Sequence, residues 1–320
     1  MKTLNLILIA LVTVLFATSL LAGKVWISPA SWWGESSAAW IITELRLPRA
    51  VLGVSVGATL GLAGAVLQGY LRNPLADPSL VGISSSAALG AVAAIALGLG
   101  ASPTLLFGCA LAGAFGATLL LLSLTHLDSN PVSFILGGMV LSSLSGALVA
   151  FIISLAANPF TTAEIVNWLM GALTDRGWDD VRHALPLMGL GVIMLALTAR
   201  RLDALSLGTD VARSLGINLK ALQWQLVIGL GLCIGSTVAV TGVVGFVGLI
   251  VPHIMRLLVG ERPSDLLLPS ALGGAILVVA ADTLVRLTPG AGEVRLGVVM
   301  AMLGAPFFFA LMLGNRRWQA

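Results

Sequence analysis

The sequence is poor in charged residues, and this scarcity excludes most classes of soluble protein. Only 10% of the 320 residues are charged, whereas 58% are hydrophobic, and the mean hydropathy is +1.03. A soluble chain of this length could not bury so much apolar surface, so the composition predicts a membrane protein. The net charge of +3 is scattered between apolar runs, which excludes a nucleic-acid-binding surface.

Residues that build catalytic sites are also scarce. The two cysteines, Cys109 and Cys233, lie in apolar runs without a CxxC motif, so we expect buried thiols and no disulfide. The three histidines are far apart, which argues against a metal site. None of the few lysines follows the spaced glycines of a phosphate-binding loop. We therefore expect neither an enzyme nor a cofactor in this chain.

Long apolar runs are what the sequence has instead. Divided at proline, glycine and charged clusters, they predict an all-α membrane protein with about ten transmembrane helices. The predicted spans are 4–22, 48–70, 79–99, 104–124, 132–156, 183–199, 221–242, 244–259, 265–288 and 297–314. The eighth is short and contains Pro252, so we expect it to cross incompletely. Thr161–Thr174 predicts an extra amphipathic helix at the membrane interface.

The N-terminal span and the orientation rest on basic residues. Lys2 followed by the run 4–22 could begin a signal peptide, but the length of the run favours an uncleaved first helix. Ten of the 17 lysines and arginines fall on the same side as the N-terminus, which predicts that both termini are cytoplasmic. The arginines predicted to lie outside then need a separate explanation.

The second span has glycines at helical spacing on one face, namely Gly53, Gly57, Gly61 and Gly64. Such a stripe lets helix backbones approach closely, or it lines a substrate path where missing side chains leave room. Both interpretations stay open at this point.

Two segments with the same glycine-to-proline interval weakly suggest an inverted-topology repeat, an arrangement common in transporters. Gly64 precedes Pro74 by ten residues, and Gly242 precedes Pro252 by the same interval. The two segments would run in opposite directions through the membrane. We treat the repeat as a hypothesis.

Asp282 is the one acid deep inside an apolar run, one helical turn before Arg286. The two side chains could form an ion pair, or Arg286 could be left to meet a partner outside. A third hypothesis is a secondary transporter in which Asp282 couples transport to protons or sodium.

The loop Arg200–Lys220 predicts two short helices, Leu202–Leu207 and Thr209–Leu215, with Gly216 ending the second. An apolar ridge would run along one face of this segment, formed by Leu207, Val211 and Leu215. A solvated connector needs no such ridge. It favours docking into a groove on a soluble partner over a helix that merely lies at the interface.

Ordered blocks along nearly the whole chain resemble the FecCD-type permeases of ABC importers, which carry iron–siderophores, haem and cobalamin. The blocks are 45–49 (LRLPR), 57–69 (GATLGLAGAVLQG), 72–78 (RNPLADP), 80–85 (LVGISS), 168–171 (WLMG), 205–216 (LSLGTDVARSLG), 245–253 (GFVGLIVPH) with Arg256, Leu268–Pro269, Ala281–Asp282, and 304–307 (GAPF).

The resemblance implies a type II ABC importer permease fold with residues 1–320 as a single transmembrane domain. It implies a second permease, identical or a sister chain, with the substrate path between them in the bacterial inner membrane. It also implies cytoplasmic ATPase subunits that hold Mg-ATP, and a periplasmic substrate-binding protein. We expect an iron(III)–siderophore as substrate, with haem and cobalamin open.

The resemblance also assigns residues to roles. Those expected to dock the binding protein are Arg46, Arg49 and Arg286. Those expected to contact the ATPase, within a coupling segment at 202–216, are Leu205, Leu207, Gly208, Asp210, Arg213, Leu215 and Gly216. The residue pattern, and not the resemblance, assigns six further residues to the translocation path or to helix packing, namely Gly57, Gly61, Gly64, Gln68, Ser84 and Ser85.

The chain departs from the family pattern at several positions. Ser86 stands where glycine is common, and the segment Glu293–Gly297 loses a usual proline and gains Arg295. We expect these changes to alter local geometry.

Overall fold

The computed structural model describes residues 2–23, 25–29, 32, 36–127, 131–156, 158–288 and 294–315, and these ranges contain helices and loops without any strand. Glu293 lies outside them. In chain order the helices are α1 (Lys2–Leu21), α2 (Ser37–Trp40), α3 (Leu47–Leu71), α4 (Ile83–Ala96), α5 (Pro103–Leu127), α6 (Pro131–Leu155), α7 (Pro159–Leu169), α8 (Trp178–Ala196), α9 (Ala199–Ser206), α10 (Thr209–Ser214), α11 (Leu219–Thr241), α12 (Val247–Val259), α13 (Pro263–Leu287) and α14 (Leu296–Asn315). A π-helical turn joins α2 to α3, and a 3₁₀ turn precedes α4.

Each predicted span contains a helix, so the all-α membrane fold is confirmed. Six helical segments are long and apolar enough to cross a membrane, and α8 with α9, bent by 40°, makes a seventh. The remaining three, α4, α12 and α14, are shorter apolar helices. With 13 residues, α12 is about 20 Å long. That is short of a hydrocarbon layer about 30 Å thick, in agreement with the incomplete crossing expected there.

The glycine stripe of α3 packs helices together. A Cβ on Gly57 would overlap the carbonyl oxygen of Gly274, and one on Gly61 would overlap that of Ser270, both on α13. A Cβ on Gly64 would overlap the carbonyl oxygen of Gly248 on α12. These backbones touch, so the geometry leaves no room for a substrate beside the three α3 glycines, and a path-lining role there does not fit. The α3–α13 contact is the most extensive in the fold.

Two long helices are left largely uncovered by the rest of the chain. Only 17% of the apolar window of α1 is buried, and only 11% of that of α6. Apolar faces of this extent are stable in contact with lipid or with another membrane chain. Helix α7 corresponds to the extra helix predicted at Thr161–Thr174, although it begins and ends earlier.

The two segments that share the glycine-to-proline interval differ in local structure. Gly64 lies inside α3 and Pro74 in the loop that follows, whereas Gly242 follows the end of α11 and Pro252 lies inside α12. These residues give the repeat no support, and it stays a prediction.

Candidate functional site

One end of the helix bundle, here called the arginine end, carries Arg46 at the start of α3. Its Nη1 donates to the carbonyl oxygens of Leu20 and Leu21, both at 2.8 Å, and its Nη2 donates to that of Val25 at 2.5 Å. The last carbonyls of a helix have no partner within the helix and carry partial negative charge. Arg46 therefore binds the C-terminal end of α1 and fixes it to α3.

Asp282 on α13 links two further arginines. Arg49 holds its carboxylate through Nε, at 3.1 and 3.0 Å from the two oxygens, and through Nη2 at 2.8 Å. Arg286 Nε lies 3.3 Å from the second oxygen, and its Nη1 donates to Ser19 O on α1 at 2.9 Å. Of the two alternatives for Arg286, the ion pair with Asp282 is present. The bidentate partner of Asp282 is Arg49, which sequence spacing could not indicate.

These four residues, Arg46, Arg49, Asp282 and Arg286, form the arginine cluster. All four are buried, with 3–9% of each residue exposed. The three guanidiniums are thus engaged inside the chain, which differs from the expectation that they face outward. They nevertheless line a cavity of about 330 Å³. The cluster contains three guanidiniums and one carboxylate, so it is net positive and favours an anionic group in that cavity.

A fourth arginine, Arg176, lines the same cavity from the loop between α7 and α8. Its Nη1 lies 3.6 Å from Asp180, while its Nε has no hydrogen-bond partner among the described residues. Burial lowers the pKa of Arg176, and the nearby Asp180 and Asp175 oppose that shift. The sequence analysis assigned no role to Arg176.

The opposite end of the bundle, here called the loop end, carries the segment 202–216. It folds as α9 and α10, close to the two predicted helices, although α9 begins earlier, at Ala199. Gly208 separates them with φ +112° and Gly216 follows α10 with φ +80°. Both angles favour glycine, because other residues are strained there. Asp210 and Arg213 form an exposed ion pair at 3.3 Å.

The three residues of the predicted apolar ridge are exposed at the loop end. Leu207 is 66% exposed, Val211 44% and Leu215 61%. Leu205, which was expected to contact the ATPase, is instead 3% exposed and belongs to the apolar core. The reason is helical geometry, since Leu205 points to the opposite face from the ridge. The exposed apolar surface of this segment therefore consists of the ridge, without Leu205.

Asp203, which sequence reasoning did not select, ties α9 to α13. Its Oδ1 accepts the backbone N–H of Ser264 at 2.8 Å, and its Oδ2 accepts Arg262 Nε at 2.9 Å. The hydrogen bond from Arg262 raises the pKa of that guanidinium. The only sequence signal was an acid in a loop, which is usually a solvated charge.

Gln68 connects three elements near the loop end. Its Nε2 donates to Ala76 O in the loop after α3 and to Gly248 O on α12, both at 3.2 Å, while its Oε1 accepts Arg256 Nη2 at 2.8 Å. The side chain is buried, with 2% exposed. Gln68 therefore holds the loop that follows α3 against α12 and has no access to an open path.

The serines of α4 connect that helix to α6. Ser85 Oγ lies 3.2 Å from Ser142 Oγ, and Ser86 Oγ lies 2.9 Å from Ser145 Oγ. Ser84 is buried. The departure at Ser86 thus adds an interhelical hydrogen bond. The departure at Arg295 adds a hydrogen bond between the segment before α14 and α7, since Arg295 Nη2 donates to Asn167 Oδ1 at 3.2 Å.

Comparison with known proteins places this geometry in a family. The model of the FecCD transport family matches residues 10–314, which is nearly the whole chain. One solved structure superimposes with a TM-score of 0.90 at 31% identity, over 98% of this chain and 100% of the other. It is described as a metal-chelate type ABC transporter in an inward-facing conformation.

Curated relatives agree with that assignment. A vitamin B12 import system permease, BtuC, from Vibrio cholerae is 39% identical over 92% of this chain and 89% of its own length. A cobalamin import system permease from Halobacterium salinarum is 39% identical over 89% of this chain and 76% of its own. An uncharacterised ABC transporter permease from Bacillus subtilis, YvrB, is also 39% identical, over 87% and 80%.

Proposed function

We propose, because the chain belongs to the FecCD transport family, that it forms part of the membrane path of an ATP-driven importer for a bulky metal chelate. The chain is a multi-pass permease subunit of an ABC importer. The finer assignments concern its partners and its substrate. We assign the ATPase to the loop end, the binding protein to the arginine end, and a second permease copy or sister chain to the uncovered faces.

The exposed ridge is the observation that carries this proposal. Leu207, Val211 and Leu215 lie together outside the membrane-spanning helices. Exposing apolar side chains to water there is unfavourable in free energy. A groove on a soluble ATPase would bury them, and the ion pair Asp210–Arg213 would lie at the rim of that contact. Movement of α9 and α10 would then follow the ATP cycle.

The arginine end supports docking of a binding protein, but with a different geometry from the one expected from the sequence. The guanidiniums of the cluster are buried, so a partner must insert an acidic side chain into the cavity rather than meet arginines on a flat surface. Arg–carboxylate pairs can be bidentate and orient a docked protein. Replacing Arg49 by glutamate would also place a second acid beside Asp282, so loss of uptake in that variant would not report on docking alone.

For the substrate, we favour a corrinoid such as vitamin B12. The relatives from Vibrio cholerae and Halobacterium salinarum are named for its import. The iron(III)–siderophore expected from the sequence is the second candidate. An apolar cavity of about 380 Å³ beside Phe246, lined also by Met170 and Val298, would form part of an apolar path that the second permease completes.

The secondary transporter hypothesis is not favoured. A carboxylate that carries protons or sodium must lose its partners during the cycle, and Asp282 is bound by two guanidiniums at one end of α13.

Uptake into proteoliposomes tests the proposal. The permease would be reconstituted with its candidate ATPase and binding protein, and loaded with radiolabelled cyanocobalamin or a radiolabelled ferric hydroxamate. ATP-dependent accumulation of the corrinoid supports the first candidate, and accumulation of the siderophore selects the second. Uptake driven by a proton gradient without ATP would contradict the importer.

A further inference from the structure

Helix α13 connects the two ends of the molecule and contains Pro269 in its second turn. It runs 25 residues, from Pro263 at the loop end to Leu287 at the arginine end, a length of about 37 Å. Its last turns contribute Asp282 and Arg286 to the arginine cluster, and its first turn is held by Asp203 of α9. The helix backbone therefore links the contact with Asp203 to the arginine cluster.

The bond between Asp203 and α13 is of the kind that fixes a helix start. Pro263 has no N–H, so the N–H of Ser264 is the first one that the helix leaves unpaired. The Asp203 carboxylate accepts it at 2.8 Å, and a negative group is favoured at a helix N-terminus. Arg262 completes the contact at 2.9 Å. Only 17% of the Asp203 side chain is exposed, compared with 92% for Asp210 in the same segment.

Apolar packing surrounds this polar contact. Leu202 and Leu205, which flank Asp203 on α9, are 0% and 3% exposed. Leu202 and Pro263 both lie beside Gly69 of α3, so α9, α13 and α3 meet at one point. Because α3 and α13 touch backbone to backbone along the glycine stripe, the two helices must move together. The contact between α9 and α13 is instead held by the side chain of Asp203.

We propose that Asp203 is a positioning residue that transmits movement of the ridge to α13, and through α13 to the arginine cluster. Asp203 lies one helical turn before Leu207, the first residue of the ridge, so a force on the ridge acts directly on it. This inference rests on the proposed function, because it takes the ridge as the surface that contacts the ATPase. It adds the route by which movement at the loop end reaches the arginine end.

The test uses the assembled complex of permease, ATPase and binding protein in nanodiscs, with cyanocobalamin as the loaded ligand. We compare Asp203→Ala and Asp203→Asn with Asp179→Ala, a matched control whose exposed ion pair with Arg182 lies at the other end of the bundle. In Asp203→Ala we expect assembly and basal ATP hydrolysis to persist, while stimulation by the loaded binding protein falls by about tenfold or more. Asp203→Asn can still accept the Ser264 N–H, so its loss should be smaller.

A second readout follows α13 directly. A fluorophore on Leu287→Cys, with Cys109 and Cys233 replaced, should report an ATP-dependent change that disappears in Asp203→Ala and persists in Asp179→Ala. Full stimulation and an unaltered Leu287 signal in Asp203→Ala would overturn the proposal. Loss of assembly in both Asp203 variants would overturn it as well, since the residue would then only support the fold. If the unsubstituted permease bound no ATPase, the proposed function itself would fail.

Discussion

The two ends of α13 differ in which side chains they bury and which they expose. At the arginine end, three guanidiniums and one carboxylate are buried and bound to groups of the same chain. At the loop end, an apolar ridge is exposed and its flanking ions face solvent. The arginine end thus has internal polar structure that a partner must enter. The loop end has an apolar surface that a partner must cover, so the two ends suit chemically different partners.

The largest expected effect comes from removing the acid of the arginine cluster. Asp282→Ala leaves Arg49 and Arg286 buried without their shared carboxylate, which should cost about 3–5 kcal/mol of stability. Thermal unfolding of the detergent-purified chain measures the loss.

Asp179→Ala is the matched control for Asp282→Ala, because it breaks an aspartate–arginine pair that is exposed to solvent. Surface pairs contribute about 0–1 kcal/mol, so its melting temperature should barely move. Equal melting temperatures for the two variants would contradict the internal role of the cluster.

At the loop end, we expect a loss of assembly without a loss of folding. The double variant Leu207→Asp, Leu215→Asp places charges where the ATPase should cover apolar side chains. Affinity for the ATPase should fall by about 2 kcal/mol or more, roughly thirtyfold, while stability stays within about 0.5 kcal/mol. Co-purification and thermal unfolding measure the two quantities.

The corresponding methionine variant, Leu207→Met with Leu215→Met, keeps the apolar area and should retain assembly. If the aspartate variant still bound the ATPase as tightly as this control, the ridge would not be the contact surface.

A smaller effect is expected between the two ends, where α3 and α13 touch. Gly61→Ala forces a methyl group against the carbonyl of Ser270, which should cost about 1–3 kcal/mol. Gly189→Ala, inside α8, meets no atom within 4 Å and should be neutral or slightly stabilising. Similar unfolding curves for the two variants would refute the close backbone contact.

The smallest effect concerns the hydrogen bond at a departure from the family pattern. In a double-mutant cycle of Ser86→Ala and Ser145→Ala, we expect a coupling of about 0.6 kcal/mol, the average for interhelical hydrogen bonds in membranes. Zero coupling in thermal unfolding would show that the two hydroxyls do not stabilise the α4–α6 contact.

The helices could be predicted from the sequence because each apolar run is local and the membrane imposes its length. The ridge could be predicted for the same reason, since Leu207, Val211 and Leu215 repeat at helical spacing. The partners of Arg49 and Asp203 could not be predicted from the sequence. Arg49 meets Asp282 across 233 positions and Asp203 meets Arg262 across 59, and one sequence carries no signal for such pairs.

Cross-linking from both ends tests the central claim most directly. In a chain lacking Cys109 and Cys233, Val25→Cys would place a thiol beside the arginine cluster, and Leu207→Cys would place one on the ridge. In the assembled complex, we predict that the first thiol cross-links only to the binding protein and the second only to the ATPase. Links to the opposite partners, or to the same partner from both positions, would contradict the account.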